Sequence, residues 1–153
     1  LSTLYGIRGL IDNLTSRRVW LDCGGNIIIE QLETLTFIDV NSAKNISSGS
    51  NSILKTNMEA AKEIARQLRL RNISGMIIID FINMKSEASK DTLIEALKRY
   101  IKDDNTVCTF VDITKLGLVE LTRKKVHKSL KQILEKHLTN RWLYANILEY
   151  AAQ

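Results

Sequence analysis

The fold of this chain is decided by the stretch Leu35-Thr36-Phe37-Ile38-Asp39-Val40-Asn41-Ser42-Ala43, which is typical of a buried strand ending in an acid and small polar residues. Residues 75–82 repeat the pattern, because four large apolar residues lead there into Asp80. A carboxylate at the end of a buried strand is costly to desolvate unless something pairs with it. Two such strands suggest a shared cation at the sheet edge, where open α/β sheets bind their ligands. The alternative is that each aspartate caps the turn or helix that follows.

A helix is predicted between the two acidic strands. Apolar side chains recur every three or four residues from residue 53 to residue 68. On the outer face, Glu59 with Lys62 and Glu63 with Arg66 have the spacing of stabilising ion pairs. A strand, a helix and a strand with short connections predict a βαβ unit with parallel strands. This topology would place both aspartates at the same sheet edge, with a flexible loop over 42–52 beside Asp39.

The other predicted elements are read from local patterns. They are a helix over 4–14, a hairpin over 17–31, a helix that begins at Ser86 or Ser89, a last strand over 106–113, a helical segment over 118–125 and a long helix over 128–151. The predicted fold class is α/β: a mixed, partly parallel sheet with flanking helices and a long C-terminal helix.

Length and composition place the chain among ordinary globular domains. It has 153 residues, of which 44% are hydrophobic and 25% charged, as expected for one domain with a real core. No apolar run approaches the roughly 20 residues of a membrane span, and we expect no signal peptide and no membrane partner. Cys23 and Cys108 fit neither a zinc spacing nor a disulfide framework, so the expected location is the reducing cytoplasm. Because the chain begins at Leu1, we expect it to be a piece of a longer protein.

The net charge of +5 belongs to the end of the chain. Residues 1–114 carry 14 basic and 14 acidic side chains, whereas residues 115–153 carry 8 basic and 3 acidic ones. The density is highest over 123–128. A local basic segment can hold a phosphate backbone, but the solvated face of a helix is the alternative.

Four segments closely resemble the ribonuclease E/G family. They are residues 38–42 (IDVNS), 56–71 (TNMEAAKEIARQLRLR), 75–84 (GMIIIDFINM) and 114–123 (TKLGLVELTR), and they match in register. The resemblance runs from about residue 5 to residue 134 and implies that residues 1–125 are the subdomain that the family calls DNase I-like. Residues 126–153 are then a helical extension.

The resemblance implies the roles of three site residues. Asp39 and Asp80 correspond to the metal-binding aspartates, and Asn41 to the residue that holds Asp39 in place. The implied cofactor is Mg²⁺, which prefers a couple of carboxylates together with water and phosphate oxygens. The implied activity is endonucleolytic cleavage of single-stranded RNA that leaves 5′-phosphate and 3′-hydroxyl ends.

Further basic residues are candidates for RNA contacts, with a solvated helix face or an ion pair as the alternative for several of them. They are Lys44, Arg66, Arg69, Arg71, Arg123, Lys124 and Lys125.

The sequence also departs from the family pattern. The S1 and 5′-sensor regions are absent, the zinc-binding cysteines expected near residue 140 are missing, and Val107 stands where some members carry a 5′-end-sensing arginine. Any homo-oligomer is therefore expected to be helix-mediated and independent of zinc. Two other functions remain open: a Mg²⁺-binding phosphoacceptor or regulatory module, and a non-catalytic RNA-binding fragment.

Overall fold

The computed structural model describes residue 9 and residues 14–42 and 50–137, and in this part of the chain a mixed six-stranded sheet carries the core. The strands are β1 (Arg18–Trp20), β2 (Asn26–Gln31), β3 (Leu35–Asn41), β4 (Gly75–Asp80), β5 (Cys108–Ile113) and β6 (Val119–Arg123). Their order in the sheet is β1-β2-β3-β4-β6-β5. The β3–β4 pair is parallel and the other neighbours are antiparallel. The predicted mixed, partly parallel sheet is confirmed.

The predicted hairpin between β1 and β2 is present, and glycine is required in its turn. Gly24 adopts φ = 85°, a left-handed conformation that glycine adopts without strain. At Gly25, an added Cβ would lie 2.7 Å from the carbonyl oxygen of Asn41, which is closer than packed atoms approach. The absence of a side chain at Gly25 therefore lets the turn lie against the end of β3.

Two long helices are described, and their ends follow from local chemistry. Helix α1 spans Ser50–Leu70 and helix α2 spans Glu87–Lys102. After α1, Asn72 takes φ = 47° and the Ile73 N–H donates to the Leu68 carbonyl at 3.0 Å, an arrangement that closes a helix C-terminus. Before α2, the Ser86 side chain accepts a hydrogen bond from the Ser89 N–H, so Ser86 is the N-cap.

The core lies between the helices and one face of the sheet. Alternate strand residues are buried there with helix residues, among them Ile38, Val40, Ile77, Ile79, Val119, Leu121, Ile64, Leu68 and Leu97. Full burial of such a side chain stabilises a fold by about 1.5–3 kcal/mol. Successive strand side chains point to opposite faces. The residues that alternate with this core, including Phe37 and Asp39, lie on the other face and are only half-buried.

The prediction of a helical segment over 118–125 is wrong, because this segment forms strand β6 between β4 and β5. Val119, Leu121 and Arg123 are buried, whereas the alternating Glu120 and Thr122 are more exposed. Pairing on both sides satisfies the backbone groups that a helix would satisfy internally. The alternation of buried and more exposed side chains along β6 results from this pairing.

Several predicted elements lie wholly or partly outside the described residues. They are most of the helix over 4–14, the loop residues 43–49 and the tail residues 138–153. The described part of the tail is helical over 130–137. Among the helices of the described ranges, none combines the length and the apolar character that a membrane crossing requires.

Candidate metal centre

The two predicted acids lie side by side at one edge of the sheet. Strands β3 and β4 are adjacent and parallel, and Asp39 is the register partner of Asp80. Both residues are half-buried on the face of the sheet opposite the core. The juxtaposition predicted from the βαβ pattern is therefore confirmed. It follows from the parallel pairing: α1 returns the chain to the end of the sheet where β3 begins, so β3 and β4 both end at the opposite edge.

Asn41 makes the hydrogen bond predicted for it. Its Nδ2 donates to Asp39 Oδ2 at 2.9 Å, two residues along the same face of β3. The bond leaves Oδ1 of Asp39 and the carboxylate of Asp80 as ligand atoms. A donor in this position restricts the rotation of the Asp39 carboxylate.

The donor set suits a hard divalent cation. Two adjacent carboxylates are the ligands that Mg²⁺ uses in sites where phosphate and water complete the coordination. Within the described ranges, no group of three or more His, Cys, Asp or Glu side chains is arranged to hold a metal. Two carboxylates alone leave most of the coordination of a Mg²⁺ ion to other oxygen ligands. The assignment of Asp39 and Asp80 as metal ligands stays a prediction.

Asn57 supports the segment that follows Asp80, a role that the sequence reasoning missed. The Asn57 side chain is fully buried in α1. Its Nδ2 donates to the Ile82 carbonyl at 2.8 Å, and its Oδ1 accepts the Ile82 N–H at 3.0 Å. This pair of hydrogen bonds ties the chain two residues after Asp80 to the helix. The available signal was a polar residue on the otherwise apolar stripe of α1.

We expect Asn57→Ala to lower both stability and metal-dependent activity. The substitution leaves the N–H and the carbonyl of Ile82 without partners in a buried place, at a cost of about 2 kcal/mol. Thermal unfolding and cleavage rate across a Mg²⁺ titration are the measurements. Thr92→Ala, which removes an exposed side-chain bond to the Ala88 carbonyl, is the control. An Mg²⁺ dependence identical to that of the unchanged protein in folded Asn57→Ala would contradict the positioning role.

Glu59 holds the hairpin turn against α1. Its carboxylate accepts hydrogen bonds from the backbone N–H groups of Asp22 and Cys23. The sequence reasoning paired Glu59 with Lys62, but the described contacts of its carboxylate are with the turn. The companion prediction is confirmed, since Arg66 Nη1 lies 2.8 Å from Glu63 Oε1.

A cavity of about 390 Å³ opens beside Asp80. It lies between the first turns of α2 and the turn that joins β5 to β6. Lys90 and Lys115 line it together with apolar side chains such as Ile94 and Leu116. Three carboxylates line it as well, those of Asp80, Glu87 and Asp91, and Lys90 is paired with Glu87, so the cavity has no excess of positive charge.

The candidate RNA-contact residues differ in how far their side chains are exposed to solvent. Arg66, Arg69, Lys124 and Lys125 are exposed, and Lys44 lies outside the described residues. Arg71 is buried, with 5% of its surface exposed, so neither a solvated helix face nor an open RNA contact describes it. Arg69 and both lysines lie at the end of the sheet where β4 begins, because Arg123 pairs with Gly75. Asp80 ends β4, about 16 Å away at the usual rise per residue.

Arg123 occupies a buried ion pair, which was the alternative to an RNA contact. Its Nε lies 2.7 Å from Asp104 Oδ2, and both side chains are at most 5% exposed. Its Nη1 donates to Asn72 Oδ1 and to the Ile73 carbonyl. Burial of Asp104 opposes its ionisation, but the hydrogen bonds from Arg123 and from the Thr106 N–H outweigh it and lower the pKa of Asp104. The ion pair proposed as the alternative for Arg123 is therefore present, and the RNA contact stays a prediction.

The fold is that of an α/β protein with a candidate metal site at one edge of its sheet. Comparison with known proteins identifies its family. Residues 1–126 match the sequence model of the Ribonuclease E/G family. The chain is 45% identical over 131 residues to "Ribonuclease E" of Synechocystis sp., covering 84% of this chain and 19% of that protein. It is 40% identical over 131 residues to "Ribonuclease E/G-like protein, chloroplastic" of Arabidopsis thaliana, covering 83% and 13%. For "Ribonuclease G" of Escherichia coli K12 the identity is 37% over 133 residues, covering 86% and 27%.

The chain belongs to the ribonuclease E/G family. It spans between 13% and 27% of the length of these three relatives. The match over residues 1–126 contains both aspartates, Asn41 and Asn57. It ends within the basic segment, before the helical residues 130–137.

Proposed function

We propose that this chain is the catalytic part of a Mg²⁺-dependent endoribonuclease that cleaves single-stranded RNA to 5′-phosphate and 3′-hydroxyl ends. The observation that carries the proposal is the register pairing of Asp39 with Asp80 in a chain of the ribonuclease E/G family. Two carboxylates at the carboxyl edge of parallel strands suit a metal that also binds a substrate phosphate.

Each residue of the site has a distinct task in this proposal. Bound Mg²⁺ supplies a polarised water and neutralises charge on the phosphodiester. Asp39 and Asp80 hold the ion, and Asn41 keeps the Asp39 carboxylate in one orientation through its 2.9 Å hydrogen bond. Asn57 fixes the segment after Asp80 through Ile82. Lys115, in the turn that joins β5 to β6, lines the cavity beside Asp80 and is the side chain there that could contact a substrate phosphate.

The test is cleavage of a labelled single-stranded RNA of defined sequence. We expect internal cuts with Mg²⁺, loss of cutting with a chelator and recovery when Mg²⁺ is restored. End-group analysis should find a phosphate on the 5′ end of the downstream product. Binding of RNA without cutting at any Mg²⁺ concentration would favour a non-catalytic RNA-binding fragment.

RNA binding by this chain alone should be weak and strongly dependent on salt. The exposed Arg66, Arg69, Lys124 and Lys125 offer few phosphate contacts, and such contacts dominate the affinity of proteins for nucleic acids. Fluorescence anisotropy with a labelled RNA at several salt concentrations measures this. Tight binding that does not change with salt would contradict the prediction.

The compartment and the assembly state are further parts of the proposal. Cys23 and Cys108 are free thiols, and burial raises the pKa of Cys108 to about 11, so it stays protonated at neutral pH. Both features suit a reducing compartment such as the cytoplasm, although one relative is named as chloroplastic. A helix-mediated dimer that needs no zinc stays a prediction, because residues 138–153 lie outside the described ranges.

A further inference from the structure

Arg71 is a buried cation whose hydrogen-bonding capacity is only partly used. Its Nε donates to Gln67 Oε1 at 2.7 Å, and this partner is a neutral amide. Its Nη2 is buried and has no hydrogen-bond partner among the described residues. A guanidinium carries five N–H donors in a planar fork that matches the oxygens of a phosphate. A buried donor without an acceptor is costly, so the site is incomplete as it stands.

No carboxylate forms a salt bridge with Arg71 within the described ranges. Burial lowers the pKa of the Arg71 guanidinium, and the negative charge of Glu63 opposes this effect only in part. The Glu63 carboxylate instead contacts Arg66 and Gln67. Arg123, the other buried arginine, is paired with Asp104. Among the described residues, Arg123 therefore has a carboxylate partner in a salt bridge and Arg71 has none.

Arg71 lines a cavity of about 360 Å³, and its positive charge could attract an anion there. Arg17 and Lys131 line the same cavity, and the carboxylate that lines it, Glu30, is already paired with Arg17. Lys131 Nζ also contacts the Gln31 carbonyl at 3.2 Å, which holds the ammonium at the rim. Arg17 is thus paired with Glu30 and Lys131 lies 3.9 Å from Glu135 Oε1, so Arg71 is the cation of this cavity that has no carboxylate partner among the described residues. The volume is within the range of sites for small ligands.

The cavity lies away from the acidic pair. Gln31, one of its lining residues, pairs with Thr36, three residues before Asp39 on β3, a separation of about 10 Å at the usual rise per residue. It is therefore separate from the candidate metal centre.

We infer that the Arg71 cavity is a binding site for a phosphate group, with Arg71 donating to its oxygens and Lys131 closing the rim. The group comes either from an RNA strand, as a backbone phosphate or a terminal one, or from a free phosphate. In either case the bound oxygens offer acceptors to the Arg71 guanidinium, whose Nε donates to the neutral amide of Gln67. Charge-assisted hydrogen bonds of this kind are about twice as strong as neutral ones, which makes phosphate the favoured occupant over water.

The test is phosphate binding by the metal-free chain, measured apart from cleavage. Because a ligand that binds the folded state stabilises it, the Tm should rise with inorganic phosphate and saturate, compared with chloride at equal ionic strength. Arg71→Met should abolish this rise. Arg69→Met, an exposed arginine two residues earlier on α1, should retain it. Lys131→Gln, at a side chain that is 53% exposed, should fold normally and weaken phosphate binding by about tenfold, the effect of one lost charge-assisted bond.

A second arm identifies the source of the phosphate. RNA with a 5′-phosphate, RNA with a 5′-hydroxyl and free phosphate are compared in the presence of chelator, each with Lys131→Gln beside the unchanged protein. Preference for the first indicates a terminal phosphate, equal binding of both RNAs indicates the backbone, and binding of free phosphate alone indicates a small ligand. No saturable phosphate effect in the unchanged protein would overturn the inference. Equal effects in the unchanged protein and Lys131→Gln would overturn it too, even if Arg71→Met fails to fold.

Discussion

Asp39→Asn and Asp80→Asn should each nearly abolish RNA cleavage while the protein remains folded. Each substitution keeps the shape of the side chain and removes one of two negative charges from the proposed Mg²⁺ site. The fold should lose little stability and could gain some, because two adjacent carboxylates repel each other when no metal is bound. Asn41→Ala should cause an intermediate loss, since it removes the 2.9 Å hydrogen bond to Asp39 but no charge from the metal site.

The measurements are cleavage rate and Tm for each variant across a Mg²⁺ titration, in the longest version of the protein that cleaves RNA. Asp103→Asn is the matched control, because Asp103 is exposed and follows α2 beside Asp104, which binds Arg123 at the end of the sheet where β4 begins. Control activity should match that of the unchanged protein. Full cleavage by Asp80→Asn at ordinary Mg²⁺ concentrations would falsify the assignment of the metal ligands.

Asp104→Asn should destabilise the protein by about 3–5 kcal/mol at neutral pH, because it leaves Arg123 buried without its charge partner. Both side chains of the pair are at most 5% exposed, so solvent screens the interaction little. The pKa of Asp104 is lowered in the folded state. Its ionisation therefore stabilises the fold above the unfolded pKa of about 3.9, and this contribution is lost as the pH falls through the lower folded pKa.

Urea unfolding of Asp104→Asn and of the unchanged protein should thus differ most at neutral pH and converge in acid. Glu87→Gln is the control, since it removes an exposed ion pair with Lys90 in which the side chains are 79% and 40% exposed. Exposed pairs contribute at most about 1 kcal/mol, so the control should change stability little. A destabilisation by Asp104→Asn no larger than that of the control would show that the buried pair contributes nothing.

The sequence by itself determined the part of the fold that carries the candidate site. The apolar runs before Asp39 and Asp80 and the helical period between them specify strand, helix and strand. Short connections then leave parallel pairing as the arrangement for the unit. That topology places the two aspartates at the same edge of the sheet, and in the structure Asp39 is the register partner of Asp80. The bond from Asn41 to Asp39 was also predictable, because residues two apart on a strand share a face.

Only the tertiary structure decided whether residues 118–125 form a helix or a strand. Their alternating pattern is short, and its outcome depends on the free edges of β4 and β5, which are brought together by contacts distant in sequence. Local periodicity does not contain that information. The same holds for Asn57, whose partner Ile82 lies 25 residues further along the chain.

The roles of the arginines were also decided by tertiary structure. The sequence does not distinguish Arg69, Arg71 and Arg123, because each is a cation in a basic stretch. In the fold, Arg69 is exposed, Arg123 is buried against Asp104, and Arg71 is buried beside a cavity with an unused donor. The difference arises because the energy of a charge depends on its burial and on the groups that the fold places around it. Sequence specifies the charge, and packing specifies whether that charge is solvated, paired or left to bind an anion.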